Sequence, residues 1–77
     1  MEKNTLGYYA TFVFDTYIAS DIKFMIGKKV YKFVGLNYDR TDDYTLTIVV
    51  ALDILSRNYV CFNVSDDKIA NKKIMIL

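Results

Sequence analysis

Few side chains of this 77-residue chain could take part in catalysis. There is no His, so the usual general base is missing and a zinc site built from Cys and His ligands is excluded. The carboxylate pairs Asp42-Asp43 and Asp66-Asp67 are adjacent in predicted turns, where we do not expect the desolvation that a catalytic carboxylate needs. The sequence therefore predicts a protein without enzymatic activity and without a cofactor.

Cys61 is the only cysteine, so an intrachain disulfide cannot form and a reducing cytoplasm fits best. The residue alternates with apolar neighbours in the segment Tyr59-Val60-Cys61-Phe62-Asn63-Val64. This pattern predicts a small side chain in or near the core rather than a reactive thiol.

A cluster of acidic residues, Asp39, Asp42 and Asp43, has a spacing that could hold a hard cation. However, no Gly or downstream Glu completes a calcium-binding loop. The interpretation preferred for this segment is a solvated turn, and we expect no bound metal.

The charges nearly cancel, with ten Lys and Arg against nine Asp and Glu and a formal net charge of +1. Bulk charge therefore attracts the chain neither to nucleic acid nor to an anionic membrane. No apolar stretch approaches the ~20 residues that cross a bilayer. Stacking of single-stranded bases on the Tyr-rich segment was the alternative, but Lys and Arg do not interleave with the rings as such a groove requires. We expect no direct binding to nucleic acid or membrane.

The N-terminal third predicts a strand followed by a short helix. Tyr8 to Ile18 alternates and is rich in aromatic and β-branched residues, which favours a strand. Ser20 offers an N-cap, the apolar residues Ile22, Met25 and Ile26 follow at helical spacing, and Gly27 permits a left-handed stop. Residues 1–7 are expected to form only a flexible arm.

The rest of the chain predicts four strands separated by turns: Val30 to Asn37, Tyr44 to Ile54, Tyr59 to Val64 and Lys73 to Leu77. Gly35 marks a bulge or a close approach. In the third predicted strand the even-numbered residues, Leu46 to Ile54, form the face expected to be buried under the helix. The predicted fold is a single α+β domain over residues 1–77, with a five-stranded, mainly antiparallel sheet and one short helix on one face.

Three segments resemble a known family in their order and spacing. These are Phe12-Val13-Phe14-Asp15-Thr16-Tyr17-Ile18, Asp21-Ile22-Lys23-Phe24-Met25-Ile26-Gly27-Lys28-Lys29 and Asn37-Tyr38-Asp39-Arg40-Thr41-Asp42, followed by a Lys- and Ile-rich ending. They resemble the first strand, the helix, the Tyr-Asp turn and the last strand of the phage uracil-DNA glycosylase inhibitors. That family consists of small proteins that block a host repair enzyme by occupying its DNA groove.

The resemblance implies a 1:1 complex with a host uracil-DNA glycosylase. Asp15, Thr16 and Tyr17 would lie along the DNA-binding cleft of the enzyme, and Asp21 would supply a second phosphate-like charge. An apolar cavity would capture one side chain of the enzyme. The residues lining this cavity would be Ile22, Met25, Ile26, Ile48 and Val50.

Two alternatives stay open at this point. Asp15 could protect a strand edge against aggregation as well as bind a target. The protein could also be a phage or mobile-element interaction protein that binds another host factor, by strand addition or self-association. Seven Tyr and five Phe exceed what one small core can bury, so we expect exposed aromatic rings and an interface.

Overall fold

The computed structural model describes residues 3–14, 22–40 and 45–77. Its centre is an antiparallel sheet of five strands, which confirms the predicted α+β fold class. The strands follow one another in the sheet in the order β4-β3-β2-β1-β5. They are β1 (Lys23–Ile26), β2 (Lys29–Arg40), β3 (Thr45–Asp53), β4 (Asn58–Asn63) and β5 (Met75–Ile76).

The N-terminal segment is helical, so the strand predicted over Tyr8 to Ile18 is wrong for its described part. Helix α1 (Leu6–Tyr8) continues as a π-helical turn (Tyr9–Val13), and the Thr5 hydroxyl caps it by accepting from the Tyr8 amide at 3.3 Å. Leu6, Ala10 and Phe14 recur every four residues and are buried. This stripe packs on the core, and the packing overrides the strand propensity of the Tyr and Phe residues.

The helix predicted from Ser20 to Gly27 is wrong for its described part, because that part forms strand β1. Lys23–Ile26 pairs with Lys29–Lys32 of β2 through a two-residue turn, and Gly27 has φ 61° there. The left-handed conformation expected of Gly27 is thus correct, but it closes a hairpin instead of ending a helix. Ser20 and Asp21 lie outside the described residues.

Aromatic rings fill the core between the N-terminal helix and the inner face of the sheet. The Phe14 ring stacks on Phe33 with centroids 4.4 Å apart and lies 5.8 Å from Phe24. Opposite them on β3, Val49 and Ala51 are fully buried. Small residues are needed at these two positions, because the rings of the helix and of β2 occupy the space above β3.

The prediction that the even-numbered face of β3 is buried is wrong, because the odd-numbered face covers the core. Leu36 pairs with Val49 and Phe33 with Ala51, so these odd positions lie on the same side as the aromatic rings. The even-numbered residues Ile48, Val50 and Leu52 are only half-buried on the other side. The Ile22, Met25, Ile26 segment does not pack on that face as a helix, because β1 lies in the same sheet, with β2 between it and β3.

Other local predictions have mixed outcomes. The register of β2 against β3 shifts between Phe33 and Gly35, which confirms the predicted bulge. The segment between β4 and β5, which the sequence predicts as a turn, contains helix α2 (Asp67–Ala70), capped by the Asp66 carboxylate. The prediction that residues 1–7 form a flexible arm is wrong for Thr5, Leu6 and Gly7, which are buried.

Over residues 3–14, 22–40 and 45–77, neither helical segment has the length and apolar character that crossing a membrane requires.

Candidate functional site

The face of the sheet turned away from the helices, called the outer face here, is the candidate site. Each strand contributes alternate residues to it, because successive side chains of a strand point to opposite faces. Its apolar members are Met25, Val30, Val34, Leu46, Ile48, Val50, Leu52, Ile54, Tyr59, Cys61 and Met75.

The strand register brings these residues into rows across the sheet. Met75, Met25 and Val30 are neighbours in one row, and the Ile54 amide donates to the Val30 carbonyl at 3.2 Å. A second row runs from Lys32 through Leu52 to Tyr59, and a third places Val50 between Gly35 and Cys61. The rows adjoin, so the apolar side chains form one continuous surface.

The outer face is much more accessible than the inner one. Phe24, Val49 and Ala51 on the inner face have no exposed surface, whereas Tyr59 is 71% exposed, Met75 63% and Val34 51%. The helices of the described part of the chain pack on the inner aromatic rings, through Leu6, Ala10 and Phe14. Within those described ranges, no helix or second sheet layer covers the outer face.

The bulge in β2 shapes the middle of this surface. Val34 is the extra residue of the bulge and lies on the outer face, and Gly35 follows it opposite Val50. A Cβ atom added to Gly35 would meet no atom within 4 Å, so the space above this glycine is open. The outer face therefore has a shallow depression next to Val50, bordered by the exposed Val34 side chain.

Next to β1, the described charged side chains of the outer face are basic. Lys23 of β1 is exposed and lies directly opposite Lys32 of β2, which is half-buried. Both residues belong to the row between the one that contains Met25 and the one that contains Val50. An anionic group on a binding partner would be favoured at this position.

Cys61 corrects a prediction, because its side chain is exposed on the outer face and not in or near the core. Val60 and Phe62, its neighbours in the chain, point inward and pack against the core cluster. The alternation in β4 was recognised in the sequence, but the inward set is the even-numbered one. Cys61 opposes Val50, so the two residues share the outer face.

The structure separates the residues predicted to line one apolar cavity. Met25, Ile48 and Val50 lie on the outer face, whereas Ile22 and Ile26 pack against the inner core. These five residues therefore do not line a common cavity. The other predicted site residues, Asp15, Thr16, Tyr17 and Asp21, lie outside the described residues.

Sequence reasoning missed several residues of the outer face, notably Val34, Leu52, Tyr59 and Met75. A usable signal was present in β4. Polar or amphipathic residues stand at both ends of this strand, namely Asn58, Tyr59 and Asn63, and Tyr59 and Asn63 share one face. An amphipathic face on an edge strand indicates that this face is exposed to solvent. The pairing of Leu52 with Tyr59 extends the same face into β3.

The carboxylates of the described residues serve local structure. Asp53 is buried, and its Oδ1 accepts from the amides of Leu55 and Ser56 at 3.1 and 3.3 Å. Asp66 accepts from the Lys68 amide at 2.9 Å. In residues 3–14, 22–40 and 45–77, no three His, Cys, Asp or Glu side chains come together as metal ligands would. Asp42 and Asp43, for which a cation was the alternative, lie outside these ranges.

No family model, no curated protein and no solved structure matches this chain. The outer face, with its exposed Tyr59, Val34 and Met75, is the candidate functional site among the described residues.

Proposed function

We propose that this protein is a non-catalytic protein-binding domain that binds its partner on the outer face of the sheet. The observation that supports this proposal is a continuous apolar surface over all five strands, with Val34, Tyr59 and Met75 each more than half exposed. Exposed apolar surface of this kind marks interaction sites in proteins that are stable in water.

The residue types on the outer face suit a protein interface. Tyr and Met are enriched at interface cores, since both bury a large area and adapt to the surface of a partner. The open space above Gly35 would accept one apolar side chain of the partner against Val50. Such a buried anchor is where the binding energy of an interface is concentrated.

The charge on the outer face indicates the chemistry of the partner. Lys23 is exposed among the apolar rows, so a partner with a carboxylate beside its apolar anchor would be complementary. A partner surface rich in Lys or Arg would be repelled there. We therefore propose a protein partner whose binding surface is apolar and locally acidic.

The particular partner implied by the family resemblance, a host uracil-DNA glycosylase, stays a prediction. The DNA-binding groove of such an enzyme is lined with basic groups that neutralise the phosphates of DNA. Among the outer-face side chains that the structure describes, the charged ones are Lys23 and Lys32, which do not complement such a groove. This observation favours the second interpretation, an interaction protein that binds a different factor.

A matched pair of variants tests the proposed binding face. Val34→Glu introduces a charge on the outer face, whereas Leu55→Glu introduces the same charge on the turn after β3, where Leu55 is 95% exposed. We expect the immobilised wild type and Leu55→Glu to capture the same protein from a bacterial lysate. Val34→Glu should bind that protein roughly tenfold more weakly or worse, because the charge would be desolvated in the apolar interface.

Circular dichroism melting provides the control, since both substitutions are at exposed positions and should leave the fold intact. Lys23→Glu should also weaken capture if the partner is acidic. Equal capture by wild type and Val34→Glu, with both proteins folded, would show that the partner binds elsewhere.

A further inference from the structure

Strand β4 forms an edge of the sheet and directs the backbone groups of alternate residues away from β3. It is the first strand in the order β4-β3-β2-β1-β5, so within residues 3–14, 22–40 and 45–77 it has a sheet neighbour on one side only. The Val64 amide donates to the Thr47 carbonyl at 3.0 Å, which fixes the alternation of the ladder between β3 and β4. Val60 and Phe62 therefore bond to β3, and Tyr59, Cys61 and Asn63 direct their backbone N–H and C=O groups outward.

The β4 edge lacks the features by which proteins protect an open edge. Asn58–Asn63 contains no charged residue and no proline, and its register with β3 runs without a bulge. The opposite edge differs, because β5 has only two residues and is too short to accept another strand. One edge of this sheet is therefore suited to pairing with a further strand.

We propose that β4 pairs in antiparallel fashion with β4 of a second copy of this chain, which joins the two five-stranded sheets into one. The proposal is independent of the partner bound on the outer face. A two-fold axis makes such pairing self-complementary, since each contact is made twice.

The hydrogen-bond alternation selects the register. Outward-facing residues must oppose outward-facing residues, so the axis passes through Cys61, Val60 or Phe62. With Cys61 opposite Cys61 of the second copy, Tyr59 opposes Asn63 and all three outward-facing residues are used. With Val60 at the axis, Asn63 is opposed only by the turn at Arg57, and with Phe62 at the axis, Tyr59 is opposed only by Ser65, which lies beyond the strand. The register centred on Cys61 is therefore favoured, although the Asn63 carbonyl also accepts from the Asp66 amide at 3.2 Å.

The side chains fit this register on the inner face. Val60 would lie opposite Phe62 of the second copy, and both are half-buried at the margin of the aromatic core. Phe62 already contacts Tyr31 edge-on, with centroids 5.2 Å apart. Pairing would thus cover apolar surface that the single domain leaves partly open.

Charge complementarity at the two ends of the paired strands supports the antiparallel arrangement. Arg57 precedes β4, and Asp66 and Asp67 follow it. In the antiparallel arrangement, Arg57 of each copy approaches the segment of Ser65 and Asp66 in the other. Opposite charges therefore face each other at both ends, and no like charges are opposed along the strand.

The experiment uses charges placed at the two-fold axis. Cys61 is exposed, so Cys61→Lys and Cys61→Glu should fold, yet each places two like charges next to each other in the dimer. Sedimentation equilibrium should show a dimer for wild type and for the control Cys61→Ser. Each charged variant should associate about tenfold more weakly or worse, and an equimolar mixture of the two should regain the dimer as a heterodimer.

Two further measurements make the result decisive. A short bismaleimide should crosslink wild type through Cys61, because opposed residues of a hydrogen-bonded pair have Cα atoms about 5.5 Å apart. Cys61→Pro removes an outward-facing N–H without breaking the ladder to β3, so a folded monomer is expected. A wild type that stays monomeric throughout the micromolar range, or charged variants that dimerise as well as wild type, would overturn the proposal. Both results are obtained without any other protein, so they do not depend on the proposed binding function.

Discussion

The buried carboxylate of Asp53 stabilises the turn that leads from β3 into the edge strand β4. Its Oδ1 accepts from the amides of Leu55 and Ser56, and its own carbonyl accepts from Arg57 at 2.7 Å. Arg57 has φ 63°, an uncommon conformation for a residue with a side chain. A short-range network centred on one residue thus holds the chain reversal.

Truncation of Asp53 tests this role. We expect Asp53→Ala to lower the free energy of unfolding by about 1–3 kcal/mol, because two turn amides lose their acceptor in a poorly hydrated position. Asp53→Asn retains the Oδ1 acceptor and should cost less. Urea denaturation of both variants measures the difference, with Asp67→Ala as an exposed control. Equal losses for the Ala and Asn variants would assign the effect to the charge instead of the hydrogen bonds.

At the scale of the element, the N-terminal helix and α2 approach each other very closely. A Cβ atom at Gly7 would lie 2.9 Å from the Ala70 Cβ and 3.1 Å from the Ala70 carbonyl oxygen. Two backbone hydrogen bonds of 2.8 Å connect the segments next to the two helices. The Leu6 amide donates to the Lys72 carbonyl, and the Ile74 amide donates to the Asn4 carbonyl. The two helices therefore cannot separate easily to make room.

We expect Gly7→Ala to destabilise the fold by about 1–3 kcal/mol, although alanine is the better helix former. The reason is that the new methyl group meets backbone atoms of Ala70 that cannot rotate away. Thermal melting of Gly7→Ala beside Gly35→Ala gives the comparison, since nothing lies within 4 Å of a Cβ at Gly35. An unchanged melting temperature for Gly7→Ala would mean that α2 shifts freely.

The elements also show what the sequence could and could not reveal. Strands β3, β4 and β5 and the bulge at Gly35 were predictable, because long apolar alternation and turn residues act locally. The first two elements were predicted as a strand and then a helix, and the structure has the reverse. In so short a segment, Ile22, Met25 and Ile26 are compatible with a helix as well as with a strand. Leu6, Ala10 and Phe14 gave a helical stripe, but the strand propensity of the Tyr and Phe residues between them masked it.

The candidate site was harder to predict than the fold, for a physical reason. In β3 the more apolar face, Ile48, Val50 and Leu52, was assigned to the core on hydrophobicity alone. The inner face carries Val49 and Ala51, because Phe14 and Phe33 supply the volume there. Which face is buried thus depends on residues distant in sequence, and a protein that binds a partner also keeps apolar residues outside.

At the scale of the whole molecule, the inner and outer faces and the β4 edge have separate roles in our proposals. The inner face stabilises the fold, the outer face binds a partner and the edge joins two copies. The edge pairing extends the sheet sideways and covers neither Val34 nor Val50. A dimer would therefore present two binding faces, which raises the avidity for a repeated partner.

The net charge of the molecule bears on the two interpretations of its partner. The protein has a formal charge of +1, and Lys23 is exposed on its outer face. It is therefore a poor electrostatic match for the basic DNA-binding groove of an enzyme. We therefore expect a bacterial uracil-DNA glycosylase to release uracil at an undiminished rate in a large molar excess of this protein. Inhibition would instead support the glycosylase partner implied by the resemblance, with Asp15 and Asp21 as its acidic contacts. Because few phosphate contacts are available, the protein should also bind the DNA substrate poorly at about 150 mM salt. A gel-shift measurement with that substrate is the necessary control, since tight DNA binding would slow excision without any contact to the enzyme.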